Sequence, residues 1–260
     1  MSEKQKKILN MAVRFLLFSA SLVFAYYLIS NLFVFQNAAA FPIADGILIY
    51  STSTSAGLVH YRTYASSTNA FANPLAAITA PSDSVRFVFG DASPVSNQQI
   101  IGIQDDISGT GMRLTVLRWN GSSWKNDWQE SSTASSTVGQ FRRFGVAYYG
   151  NSGNAMVVYA TSTSHALAYK TWNGISWSAT STFGLATAGN VLNGAPQWVE
   201  LAAPPTATSN QKLAVAYSDG NGQIGYAIWN GSTWGVASST SPKPLSTTSK
   251  WRGFDIAIEN

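Results

Sequence analysis

Trp172-Asn173-Gly174-Ile175-Ser176-Trp177 is the stretch on which the reading of this chain turns. The same pattern, Trp-Asn-Gly-x-x-Trp, stands at Trp119 to Trp124 and at Trp229 to Trp234, at spacings of 53 and 57 residues. Asn-Gly between two apolar, alternating runs is a strong hairpin signal, because both central residues of a type I′ turn need positive φ. A two-residue loop of that kind sets Trp172 opposite Ile175 and Lys170 opposite Trp177, with the two indoles diagonal on one face.

The flanks repeat with the motif. Met112 to Arg118, Ala166 to Thr171 and Gln223 to Ile228 run into the three hairpins. Before them come Gln99 to Ile103, Asn154 to Tyr159 and Gln211 to Tyr217, and earlier still Val85 to Phe89, Phe144 to Tyr148 and Trp198 to Ala202. Each unit therefore reads as four short antiparallel strands, the pattern of a β-propeller blade. Tyr169 and Thr171 lie on the face opposite Trp172, so neither face is wholly polar, as in a sheet covered on both sides. The fold class is all-β: a propeller of about four blades, or part of a larger one, behind one N-terminal hydrophobic helix.

Partial copies sit at both ends of the chain. Ile47 to Tyr50 and Leu58 to Tyr64 match the second and third strands of a unit, with no first strand ahead of them. Trp251 to Ile258 matches a first strand. Two readings stay open: the tail completes the head and closes a four-bladed ring, or further blades belong to a longer protein. The division is a segment 1–40, a partial blade 41–80, blades near 81–140, 141–197 and 198–250, and a terminal strand 251–260.

Within 1–40, basic Lys4 to Arg14 precedes the uncharged run Phe15 to Phe35. Twenty-one residues at about 1.5 Å each span a bilayer as a helix. The length fits an uncleaved anchor, whereas Ala38-Ala39-Ala40 would suit signal-peptide cleavage. Either way the basic flank stays inside and the propeller faces outward, membrane-anchored in the cell envelope or secreted.

Composition narrows the chemistry. Charged residues make up only 11% of the 260, and beyond residue 40 twelve basic side chains meet eleven acidic ones. Outside the leader the sole adjacent basic pair is Arg142-Arg143, so the clustered cations that nucleic acid demands are missing. The chain has no cysteine, which removes disulfides, thiol catalysis and cysteine zinc sites. No Gly-x-Ser-x-Gly elbow and no phosphate-binding glycine loop occurs. Asp105-Asp106 reads as a turn cap, with no calcium-loop spacing after it. No catalytic residue, metal site or cofactor is expected, and the chain is read as a non-enzyme.

The Trp-Asn-Gly-x-x-Trp hairpins resemble repeats of secreted, lectin-like and sialidase-like β-propellers, over residues 41–260 and at the level of architecture. The sialidase-type aspartate box is absent; Ser218-Asp219-Gly220-Asn221-Gly222 has only a faint likeness to it. The resemblance implies a surface recognition or adhesion module with a carbohydrate or surface protein as partner. Two alternatives stand beside it: a glycoside-hydrolase-type fragment, and a structural scaffold with no small ligand. The repeated tryptophans read first as core, since large aromatics dominate buried area. The ligand-binding candidates are Trp177 and Trp234 at the hairpins, with Arg142, Arg143 and Arg252 at the starts of units.

Overall fold

The computed structural model describes residue 3 and residues 46–51, 58–73, 75–79, 84–107, 111–132, 141–161, 166–184, 186–187, 190–191, 196–204, 212–219, 224–236 and 254–258. The run Phe15–Phe35 and Arg252 lie outside them. Among the described residues no helix is long and apolar enough to cross a membrane.

Four antiparallel sheets follow one another along the chain. The first holds β1 (Gly46–Ser51), β2 (Leu58–Ala65), β3 (Ala70–Phe71) and β4 (Leu75–Thr79), with β1, β3 and β4 all paired to β2. The second is β5 (Ser84–Ala92), β6 (Gln99–Ile107), β7 (Gly111–Trp119) and β8 (Trp124–Ser132) in sequential order. The third runs β9 (Phe144–Tyr149), β10 (Asn154–Ala160), β11 (Ala166–Trp172) and β12 (Ser181–Gly184). After a small hairpin, β13 (Ala186–Thr187) and β14 (Asn190–Val191), the fourth is β15 (Pro196–Ala202), β16 (Leu213–Asp219), β17 (Ile224–Trp229) and β18 (Trp234–Val236). The fold is an all-β propeller built from four-stranded blades.

Strand periodicity explains the stacking. Along β10, Ala155, Val157 and Tyr159 join the apolar layer facing the second blade, while Met156, Val158 and Ala160 join the layer facing the fourth. Alternate side chains point to opposite faces, so a strand between two blades must be apolar throughout. All six residues of β9 are accordingly buried. A third layer, with Val59, Val85, Ile101, Ile103 and Leu117, joins the first blade to the second. Each large side chain in these layers, such as Phe144 at 1% exposure, contributes about 1.5–3 kcal/mol.

First strands of successive blades lie side by side, as inner strands of a propeller do. Val199 N–H donates to Arg142 O at 3.1 Å, and Tyr148 N–H donates to Asp91 Oδ2 at 2.7 Å. The approach is close enough that a Cβ on Gly145 would sit 2.9 Å from Leu201 Cβ.

One expectation is corrected. The hairpins are not two-residue type I′ turns: Trp119 pairs with Trp124, Trp172 with Trp177 and Trp229 with Trp234, across four-residue loops. Glycine alone takes the positive φ there, +92° at Gly174. Asn173 instead turns its side chain inward, and Oδ1 accepts from Ile175 N–H at 2.9 Å and Ser176 N–H at 2.8 Å. That side-chain acceptor substitutes for a main-chain carbonyl and favours the wider loop. The described part of the tail, Phe254 to Ile258, carries no strand. β1 has a ladder only with β2 among the described residues.

Candidate functional site

The cross-strand aromatic pairs act between blades. Trp119 and Trp124 pack on Tyr61 of the first blade at ring separations of 5.6 and 5.9 Å. Trp177 meets Trp128 of the second blade edge-on at 5.7 Å, and its Nε1–H donates to Asp127 Oδ2 at 2.8 Å. Asp127 also accepts from Arg118 Nε at 2.9 Å and Nη2 at 3.3 Å, and the Arg118 guanidinium lies 4.2 Å over the Trp172 ring. Trp234 stacks on Phe183 of the third blade at 4.7 Å. Trp177 and Trp234 are thus half-buried blade contacts rather than free platforms.

Arg142 and Arg143, candidate ligand-binding residues at the start of a unit, are both buried, at 6% and 2% exposure. The reason is that the start of a blade is wedged between its neighbours. Arg142 pairs with Glu200 and covers the Phe89 ring at 3.8 Å. Arg143 has a different environment. Its Nε donates to Pro196 O at 2.8 Å and Nη2 to Thr161 O at 3.0 Å, while Nη1 is buried without a partner. Burial lowers its pKa to about 10, so the guanidinium is charged at neutral pH.

Arg143 lines a small pocket of about 20 Å³ between the second and third blades, room for one or two waters. Gln104, Arg113 and Glu130 supply its other polar groups, and Phe144, Tyr159 and Met112 its apolar wall. Gln104 is fixed at both ends: Nε2 donates to Phe141 O at 2.8 Å, and Oε1 accepts from Arg143 N–H at 2.9 Å. Arg113 is held by Asp105, fully buried at the end of β6 rather than in a turn. Burial pushes the Tyr159 phenol pKa upward. Glu130 is the one carboxylate lining the pocket among the described residues, and no ion pair or hydrogen bond engages it there. A paired-carboxylate hydrolase needs a second acid at defined distance.

Of the described candidates from sequence, Arg143 alone lines this pocket. Gln104, Arg113, Glu130 and Tyr159 were missed. Part of the signal was present in the strand pattern: Gln104 interrupts the apolar run of β6, and Gln104 and Glu130 share the face of Ile100, Leu114 and Val116 that packs toward the third blade. Among the described residues no cluster of His, Asp or Glu could hold a metal ion.

No family model matches the chain, and no curated protein matches it. Solved structures do. A lectin from Aleuria aurantia in complex with Fucα1-6GlcNAc is 13% identical, with a TM-score of 0.44 over 82% of this chain and 66% of that one. The SapL1 lectin in complex with α-methyl fucoside is 18% identical, with a TM-score of 0.44 over 72% and 57%. The NanB sialidase of Streptococcus pneumoniae is 15% identical, with a TM-score of 0.41 over 66% and 26%. The chain spans less than two thirds of each of these proteins, and at such distances none of them assigns a ligand or a residue role to it.

Proposed function

We propose that the chain is an outward-facing carbohydrate-recognition module that admits a single sugar hydroxyl at the small pocket between the second and third blades. One observation carries the reading: a buried guanidinium with an unspent N–H, Arg143 Nη1, and an unengaged carboxylate, Glu130, share a pocket with Tyr159 and Phe144. A sugar has hydroxyls that both donate and accept, and an apolar C–H face. Donor, acceptor and aromatic wall together meet those three needs. The basic flank and apolar run before residue 36 support export, and surface adhesion is the role that follows.

The test is glycan-array screening of the full chain in mild detergent, followed by calorimetry with the best ligand. Glu130→Gln should weaken binding about tenfold or more, since a hydrogen bond to a charged group is worth about 1.5–3 kcal/mol. Binding untouched by Glu130→Gln and Arg113→Lys would place the site elsewhere. An array with no ligand would leave the scaffold reading, and turnover of chromogenic glycosides would make the chain an enzyme. Protease added to intact cells with a permeable outer layer should digest residues 41–260, and protection would refute the outward orientation.

A further inference from the structure

A repeated contact joins the blades, and both of its halves stand free at the two ends of the stack. Its donor half is the cross-strand aromatic pair. Trp119–Trp124, Trp172–Trp177 and Trp229–Trp234 have ring separations of 5.4, 5.6 and 5.6 Å and interplanar angles of 54°, 49° and 58°. The first blade has a fourth copy that the sequence motif does not reveal. Tyr64 pairs with Phe71 across β2 and β3, at 5.2 Å and 53°. Tyr64 precedes Trp119 by 55 residues, between the two motif spacings.

The receiving half lies on the third strand of the preceding blade. Tyr61, three residues before Tyr64, receives Trp119 and Trp124. Tyr169, three residues before Trp172, receives Trp229 at 5.6 Å and Trp234 at 6.1 Å. The second blade has Val116 at that place and uses Arg118 over Trp172 instead. Three residues before Trp229 stands Tyr226, the counterpart of Tyr169. It is 45% exposed and carries no ring contact, and Ile228 beside it on the same face is 38% exposed.

At the other end, Phe71 is 50% exposed and Leu48, on the same outer face of β1, is 47% exposed. Both halves are open in the same chain, so they do not meet within it. An exposed apolar patch that repeats an internal interface fits the surface that completes that interface.

We infer that a second copy of this chain docks head to tail, with Tyr64 and Phe71 of one copy seated on Tyr226 and Ile228 of the other. Each copy brings one half of each kind, so two copies related by a two-fold axis form the contact twice. A partner that supplies both halves satisfies both ends at once.

The absence of cysteine makes the test clean. Full chain carrying Phe71→Cys is mixed in mild detergent with full chain carrying Tyr226→Cys, and the mixture is oxidised with copper phenanthroline. A cross-linked dimer that forms in the mixture and in neither chain alone is the expected result. No mixture-specific cross-link would overturn the inference. So would a doubly substituted chain that closes only on itself, because the ends would then meet within one molecule. Phe71→Ser, at an exposed site, should halve the light-scattering mass without lowering Tm, and a mass indifferent to that change would also count against it.

Discussion

Asp127→Ala tests whether a single carboxylate holds two blades together. Asp127 accepts three hydrogen bonds, two from Arg118 of its own blade and one from Trp177 of the next. Alanine leaves a guanidinium and an indole N–H without their acceptor in an apolar seam. Removing one partner of a buried ion pair costs about 3–5 kcal/mol. The Arg118 side chain retains 12% exposure against 3% for Asp127, so water relieves part of the loss and the low end, about 3 kcal/mol, applies. For a domain of this size each kcal/mol shifts Tm by about 2–4 °C, which gives a fall of about 6–12 °C. Asp127→Asn keeps one carbonyl acceptor and should cost about 1–2 kcal/mol. Differential scanning calorimetry of the full chain reads both. A Tm for Asp127→Ala within about 2 °C of the parent would refute the reasoning, since Asp127 would then add little to the seam between the two blades.

Gly174→Val should destabilise by about 1–3 kcal/mol, because Gly174 sits at φ +92° and a β-branched residue resists that conformation; an unchanged melting midpoint would mean the loop rearranges freely. Burial raises the pKa of Asp91 above its ordinary 3.8, outweighing the lowering by the N–H groups of Tyr148 and Ala92. The folded state then holds this proton more tightly than the unfolded one, so the contribution of Asp91 to stability is largest below pH 3.8 and declines as pH rises through the folded pKa. Denaturant titrations across that window should show a shallower decline for Asp91→Asn than for the parent, and parallel profiles would remove Asp91 as the cause.

The blades were legible because their code is local. Asn-Gly flanked by alternating runs marks a hairpin within a dozen residues, and three copies establish the period. The loop width was misread because Asn173 acts through its side chain, a choice between two hydrogen bonds that the dipeptide alone does not decide. The burial of Arg142 and Arg143 has a non-local reason. Glu200, Pro196 and Thr161, which engage them, lie 18 to 58 residues away in sequence, and only the stacking of blades brings them near. The pocket was hidden for the same cause: Glu130 and Arg113 belong to one blade, and Arg143 and Tyr159 to the next. The fourth aromatic pair, Tyr64 with Phe71, escaped because its chemistry is phenol and phenyl instead of indole, joined by a longer turn.

Most of the described packing joins each blade to the one before it and the one after it, with Phe87 of the second blade against Trp198 of the fourth at 5.8 Å as an exception, which makes this protein nearly one-dimensional in its energetics. Stability in such an array is a sum of intrinsic terms for each sheet and coupling terms for each seam, and the coupling terms carry the cooperativity. The third blade has both faces coupled, through Ala155, Val157 and Tyr159 on one side and Met156, Val158 and Ala160 on the other. Among the described residues the first and fourth each have a core layer on one side. Unfolding therefore proceeds inward from the ends, as fraying does in a helix, and the slowest-exchanging amides belong to β9 and β10.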